Sequence, residues 1–130
     1  MKYFISKTIP TNDFETTKTK VEAALTSEGF GVLTEIDIQA TMKKKLDKDY
    51  RPFLILGACN PVYADKVLSL DPRMSVMLPC NVVLRSIDEQ TIEVAAIDPL
   101  AAMGGLGNSD IEPLAADVKE KLARVIEKIF

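Results

Sequence analysis

The sequence predicts an α+β domain in which helices pack on one face of a mainly antiparallel sheet. Its 130 residues are enough for one core, so we expect a single domain over residues 1–130. Segments of strand and helix character follow one another in the order β-α-β-β-α-β-β-α. Consecutive strands with no helix between them are typical of antiparallel pairing.

The first three elements are indicated by apolar spacing and by their end signals. Residues 2–9 form an apolar-rich run that predicts the first strand. Asn12 and Glu15 have the spacing of a capping box, and Gly29 is a typical helix stop, which predicts a helix over 13–28. The next run alternates with period two, which predicts a half-buried strand with one face formed by Phe30, Val32, Thr34, Ile36 and Ile38.

The same kinds of pattern predict the elements of the second half of the chain. A single helical excursion is predicted before it, over residues 39–46. The continuously apolar residues 53–57 predict a buried strand, and Asn60-Pro61 then opens a helix that ends before Asp71. Two strands, 75–87 and 91–97, are joined by the polar turn 88–90. Ser109 with Glu112 predicts the capping box of a long amphipathic C-terminal helix.

Composition narrows the function classes. A net charge of -3 argues against a nucleic-acid partner bound through phosphate neutralisation. No apolar run has the length of a membrane span, so we expect no membrane partner and a cytoplasmic location. The absence of histidine excludes Ser-His and Cys-His pairs and imidazole metal sites, which favours a non-enzymatic protein without a cofactor.

The two cysteines occur in similar contexts, because each ends an apolar run and is followed by asparagine: Cys59-Asn60 and Cys80-Asn81. If both runs are strands of one sheet, the thiols emerge at neighbouring edges. Cys59 also precedes a helix N-terminus, where the helix dipole lowers a thiol pKa. The favoured alternative is that both pack as small buried hydrophobes. A metal site at Cys59 and Cys80 lacks the four ligands of structural zinc.

Polar residues also follow two other strands. Asp37 and Gln39 end the second strand, and Asp98 ends the last one. Paired carboxylates in one cleft serve as acid and base. We favour the alternative that these residues cap helices or form Asx turns.

Several strings together resemble those of the domain-of-unknown-function 302 family. They are Gly29–Val32, Ile36–Lys43, Ile55–Pro61, Leu78–Val83 and Ala96–Pro99. The resemblance implies a compact α+β fold with a TATA-binding-protein-like arrangement of sheet and helices, and it implies homodimers. It implies no established activity or cofactor.

The leading hypothesis is a dimeric domain that binds a small-molecule ligand or a protein partner in a groove between the sheet and the C-terminal helix. The candidate ligand-binding residues are Asp37, Gln39, Cys59, Asn60, Cys80, Asn81 and Asp98. One alternative is a redox or soft-metal function that uses Cys59 and Cys80, and another is a purely structural interaction module.

Overall fold

The computed structural model describes residues 2–130 and has the predicted α+β architecture, with a five-stranded antiparallel sheet. The strands are β1 (Phe4–Ile9), β2 (Gly31–Asp37), β3 (Phe53–Cys59), β4 (Cys80–Asp88) and β5 (Thr91–Ile97). Their spatial order is β1-β5-β4-β3-β2, so β4 is central and β1 and β2 are the edges.

Residues 2–130 also form five α-helices and two 3₁₀ turns, of which the last two helices and the second 3₁₀ turn follow the last strand. The helices are α1 (Phe14–Ser27), α2 (Ile38–Leu46), α3 (Pro61–Leu70), α4 (Pro99–Met103) and α5 (Ile111–Lys128), and the 3₁₀ turns are Pro72–Met77 and Gly104–Leu106. Along α5 the buried residues recur every three or four positions, which gives one apolar stripe. None of the helices within residues 2–130 has the length and apolarity to cross a membrane.

The core lies on one face of the sheet, beneath α1 and α5. Alternate strand residues point into it and are fully buried, among them Leu56, Val82, Leu84, Ile92 and Val94. The residues between them point to the opposite face and are half-buried or exposed, apart from Gly57. The sheet therefore has a covered face and an uncovered face.

Two predicted helix caps are wrong. The N-cap of α1 is Asp13 and not Asn12, because the Asp13 carboxylate accepts both the N–H of Thr16 (3.0 Å) and its hydroxyl (2.8 Å). The C-terminal helix begins without a side-chain cap, and the predicted pair Ser109–Glu112 is not formed. The Asn108 side chain instead accepts the N–H of Asp110 at 2.9 Å in the preceding turn.

Other differences come from backbone irregularities. A bulge between Val32 and Thr34 shifts the phase of β2, so Val32 faces the core while Thr34 and Ile36 face the uncovered side. The strand predicted from residue 75 begins at Cys80, because the 3₁₀ turn Pro72–Met77 precedes it and Pro79 has no N–H to donate to the sheet. Both α2, which the predicted element order omits, and the short α4 are present.

Candidate functional site

A small half-open cavity lies where β3 ends and β4 begins, between the covered face of the sheet and helices α3 and α5. Its volume is ≈ 40 Å³, and its lining is almost entirely apolar. Ala58 and Cys80 of the sheet form the floor, and Val67 of α3, Met103 of α4 and Val118 of α5 line the other sides. Both cysteines border this space, which we call the thiol cavity.

Cys80 is the first residue of β4 and is buried in the cavity floor. It lies directly opposite Ala58 in the antiparallel register, so both side chains point to the covered face. Burial and, to a smaller extent, the charge that Cys59 would carry together raise the pKa of the Cys80 thiol to about 11. The thiol is therefore neutral at physiological pH and is a poor nucleophile there.

Cys59 is the last residue of β3 and is half-buried at the cavity rim. Strand alternation gives it the phase of Gly57, which faces the uncovered side, whereas Ala58 and Cys80 face the core. The two thiols lie within electrostatic reach of each other but start from opposite faces of the sheet. Within residues 2–130, no three Cys, Asp or Glu side chains gather in a way that could hold a metal ion.

Tyr63 separates the thiol cavity from a polar surface. Its side chain is half-buried and lines the cavity, while its hydroxyl donates to Asp117 Oδ2 at 3.3 Å. Desolvation and the Asp117 charge raise the pKa of the Tyr63 phenol. The ammonium groups of Lys66 and Lys121 lie 5.2 and 5.8 Å from the ring centroid, so two cations and one carboxylate surround this tyrosine.

Asn60 and Asp98 lie near the cavity but are engaged in holding the fold. Asn60 caps α3, because its Oδ1 accepts the N–H of Tyr63 at 3.5 Å and its Nδ2 donates to the carbonyl of Glu28 at 3.4 Å. Asp98 is buried and caps α4 by accepting the N–H groups of Leu100 and Ala101 at 3.0 and 3.1 Å.

The charge of Asp98 is stabilised by its partners. Burial opposes ionisation, but the N–H of Ala101 and the ammonium of Lys119, 3.0 Å from Oδ2, outweigh it, so the pKa of Asp98 lies below its usual value. A carboxylate with these three partners is a structural cap more than an acid or base, as favoured from the sequence.

Asp37 and Gln39 lie at the other end of the sheet and do not join the thiol cavity. Asp37 pairs with Leu54, five residues before Cys59 along β3, which corresponds to about 17 Å. The Asp37 side chain caps α2 by accepting the N–H of Ala40 at 2.9 Å, and Gln39 Nε2 donates to the carbonyl of Tyr50 at 3.0 Å. The predicted residues thus do not form one cluster.

Asn81 borders a different site, a shallow depression on the uncovered face. This depression has a volume of ≈ 470 Å³ and is lined by Asn81, Val83, Ala95 and Ile97, with Tyr3 and Phe4 at one side. Arg85 and Glu93 lie at its other end, directly opposite each other on β4 and β5, and Arg85 Nε donates to Glu93 Oε1 at 2.9 Å.

The sequence analysis did not single out Tyr63, Met103, Arg85 or Glu93. The pairing of Arg85 with Glu93 was predictable, because a hairpin turn centred on residue 89 places the two residues opposite each other on neighbouring strands. No sequence pattern predicts that Tyr63 and Met103 lie near the thiols, since their position depends on how α3 and α4 pack.

Comparison with known proteins gives a family but no activity. No curated protein matches the chain. The crystal structure of an uncharacterised conserved DUF302 protein from Bacillus stearothermophilus is 25% identical, with a TM-score of 0.91 over 100% of both chains. The family described as "Domain of unknown function DUF302" matches residues 5–129. The chain therefore belongs to the DUF302 family.

Proposed function

We propose that this protein is a non-catalytic domain that binds the apolar end of a small ligand in the thiol cavity, between the sheet and α5. The observation that carries the proposal is a half-open, almost entirely apolar space of ≈ 40 Å³ that the neighbouring side chains leave unfilled. Protein interiors are otherwise packed as densely as organic crystals, with few voids larger than a water molecule.

The unfilled space has a free-energy cost that an occupant would recover. At about 24 cal/mol per Å³, a cavity of ≈ 40 Å³ lowers the free energy of unfolding by about 1 kcal/mol. A water molecule needs two to four polar partners, and the walls formed by Ala58, Val67 and Val118 supply none from their side chains. An apolar group is therefore a better occupant than water.

The cavity's size restricts the ligand. Complete small-molecule pockets measure roughly 300–1,000 Å³, so ≈ 40 Å³ accepts only a few heavy atoms. Even at the upper limit of about 1.5 kcal/mol per heavy atom, three such atoms give only millimolar affinity. The rest of the ligand must extend out of the cavity, and near Tyr63 it would meet Lys66 and Lys121 together with Asp117, which favours a polar head.

The side chains around the cavity support binding more than catalysis. The Cys80 thiol is held neutral by burial, and the Asp98 carboxylate is occupied by two backbone N–H groups and Lys119. A nucleophile without an adjacent base is weak at neutral pH, and the chain contains no histidine that could serve as one.

The test is a methyl NMR titration with butyrate and with n-butanol. We expect both probes to shift the methyl signals of Val67 and Val118, because their apolar ends enter the same space. Ala58→Val fills the cavity and should abolish these shifts. Ala96→Val is the matched control, since both alanines are 1% exposed on the covered face but only Ala58 lines the cavity. Shifts that persist in Ala58→Val, or that map elsewhere, would refute the proposal.

A thiol-based redox or soft-metal function is the second candidate, and the approach of both cysteines to one cavity favours it. Soft ions such as Cu(I) select thiolate ligands, and their binding would release the proton of Cys80. Titration of the thiols with iodoacetamide across pH, with and without Cu(I), tests it. Protection of both thiols at one equivalent would support a shared site, and unchanged reactivity would eliminate it.

We also propose that the protein is a homodimer. The uncovered face of the sheet supports this proposal, because the apolar side chains of Val83, Ala95 and Ile97 there are only half-buried and line an open depression. Contiguous apolar surface on a soluble domain commonly marks an interaction site.

A further inference from the structure

The uncovered face has a regular arrangement of apolar and charged side chains. Its centre carries Val83 and Ala95, which lie directly opposite each other on β4 and β5. One step along the same two strands, the pair Arg85–Glu93 follows, and Ile55 lies beside Val83 on β3. All of these side chains are half-buried, so a partner that covers them would remove apolar surface from water.

The ion pair at this position is only partly satisfied within one chain. Arg85 uses its Nε to contact Glu93 Oε1 at 2.9 Å, which leaves the two terminal nitrogens of the guanidinium and one carboxylate oxygen for other partners. The side chains are 43% and 21% exposed, respectively. A second Arg–Glu pair placed above this one, in the reverse order, would make charge-assisted hydrogen bonds across the interface.

We propose that the uncovered face is the homodimer interface, with Arg85 of each copy paired to Glu93 of the other. This inference rests on the proposed homodimer and specifies its surface. The two-fold axis runs parallel to the strands, between β4 and β5, since only an axis there places an arginine over a glutamate. The same axis stacks Val83 of one copy on Ala95 of the other, so the apolar centre is also self-complementary.

The size of the face is compatible with a stable dimer. An axis between β4 and β5 overlays four strands of each copy, β1, β5, β4 and β3. At about 4.8 Å apart and about six residues long, they give on the order of 400 Å² in projection. Protruding side chains and the flanking Tyr3, which is 67% exposed, increase the accessible area toward the roughly 800 Å² per partner of a standard interface. Two sheets packed face to face about 10 Å apart are a common arrangement.

The second copy is the occupant that the charges favour. A polypeptide of unrelated sequence has no reason to present one cation and one anion at the matching separation, whereas a second copy always does. The rule for two-fold contacts, in which residue i touches j and j touches i, is met by Arg85 and Glu93 without any further requirement.

The test measures the dimer dissociation constant by sedimentation equilibrium for Arg85→Glu, for Glu93→Arg and for their mixture. Each variant alone places like charges across the axis, so we expect its dissociation constant to rise at least about tenfold. An equimolar mixture should form the heterodimer with near wild-type affinity, because one copy then carries two glutamates and the other carries two arginines.

The control is Lys18→Glu, which reverses one partner of the 2.7 Å Lys18–Glu35 bridge between α1 and the edge strand β2. This variant should dimerise like the wild type, and circular dichroism should show that all variants remain folded. A wild-type dimer that is insensitive to both Arg85→Glu and Glu93→Arg would overturn this interface and leave the homodimer in place. A wild-type monomer at every concentration would overturn both.

Discussion

Replacing Ala58 by valine should stabilise the protein, because the added methyl groups enter the thiol cavity. Ala58 is 1% exposed, lies on β3 and lines the cavity floor opposite Cys80. Filling a void of ≈ 40 Å³ can recover at most about 1 kcal/mol. Valine also suits a strand backbone, so no local propensity opposes the gain.

The expected result is an increase of about 0.5–1 kcal/mol in the free energy of unfolding, which raises Tm by about 2–4 °C for a chain of this size. Urea and thermal unfolding monitored by circular dichroism measure both quantities. The matched Ala96→Val adds the same atoms to a buried position of the covered face outside the thiol cavity, where overpacking costs about 1–3 kcal/mol. If Ala58→Val loses as much stability as Ala96→Val, the site contains no space that a ligand could use, and the reasoning is wrong.

Three further predictions concern neighbouring residues. Because the pKa of Cys80 is raised from 9.0 to about 11 in the folded protein, its contribution to the free energy of unfolding is constant below pH 9.0 and is lost as pH rises through about 11. Urea unfolding of Cys80→Ala should therefore show a smaller loss of stability between these pH values than the wild type. Gly57→Ala should cost more than about 2 kcal/mol by urea unfolding, since its Cβ would lie 2.8 Å from Pro79 and would also clash with Thr34, whereas Gly105→Ala has nothing within 4 Å and should be near neutral. Asp98→Ala should cost about 2–4 kcal/mol through its lost cap and ion pair; its lowered pKa means that the wild-type advantage over Asp98→Ala disappears as pH falls through that pKa, which acid unfolding would detect.

The fold was largely predictable because local signals and burial agree along most of the chain. Asn60-Pro61 opens α3 as expected, and Gly29 ends α1 with a φ of 86° that a side chain would disfavour. The hairpin around residue 89 and the apolar stripe of α5 also follow from period and turn chemistry. These features depend on near neighbours in sequence, which is why they could be read from it.

The irregular points were not predictable from periodicity. The bulge beside Leu33 inverts the faces of the following residues, so Ile36 is 47% exposed on the uncovered side where the alternation placed it with Phe30. A bulge needs no distinctive residue, so the sequence carries no clear signal for it. The start of β4 likewise depends on the 3₁₀ turn Pro72–Met77, which occupies the first residues of the predicted strand 75–87.

The candidate site was predictable only in part. The similar strings that end at Cys59 and Cys80 indicated that two strands meet there, and the register brings those strand ends together. The gathering of Asp37 with the thiols was not found, because β2 and β3 pair so that Asp37 lies beside Leu54 at the far end. The cavity itself depends on how α3 and α5 pack on the sheet, which involves residues far apart in sequence.

The most direct test of the central claim is a crystal structure determined under xenon pressure, because xenon occupies apolar cavities without needing a polar partner. The account predicts a xenon atom between Ala58, Cys80 and Val118 in the wild type, and none there in Ala58→Val crystals. Ordered water hydrogen-bonded in that space, or xenon found only at other positions, would contradict it.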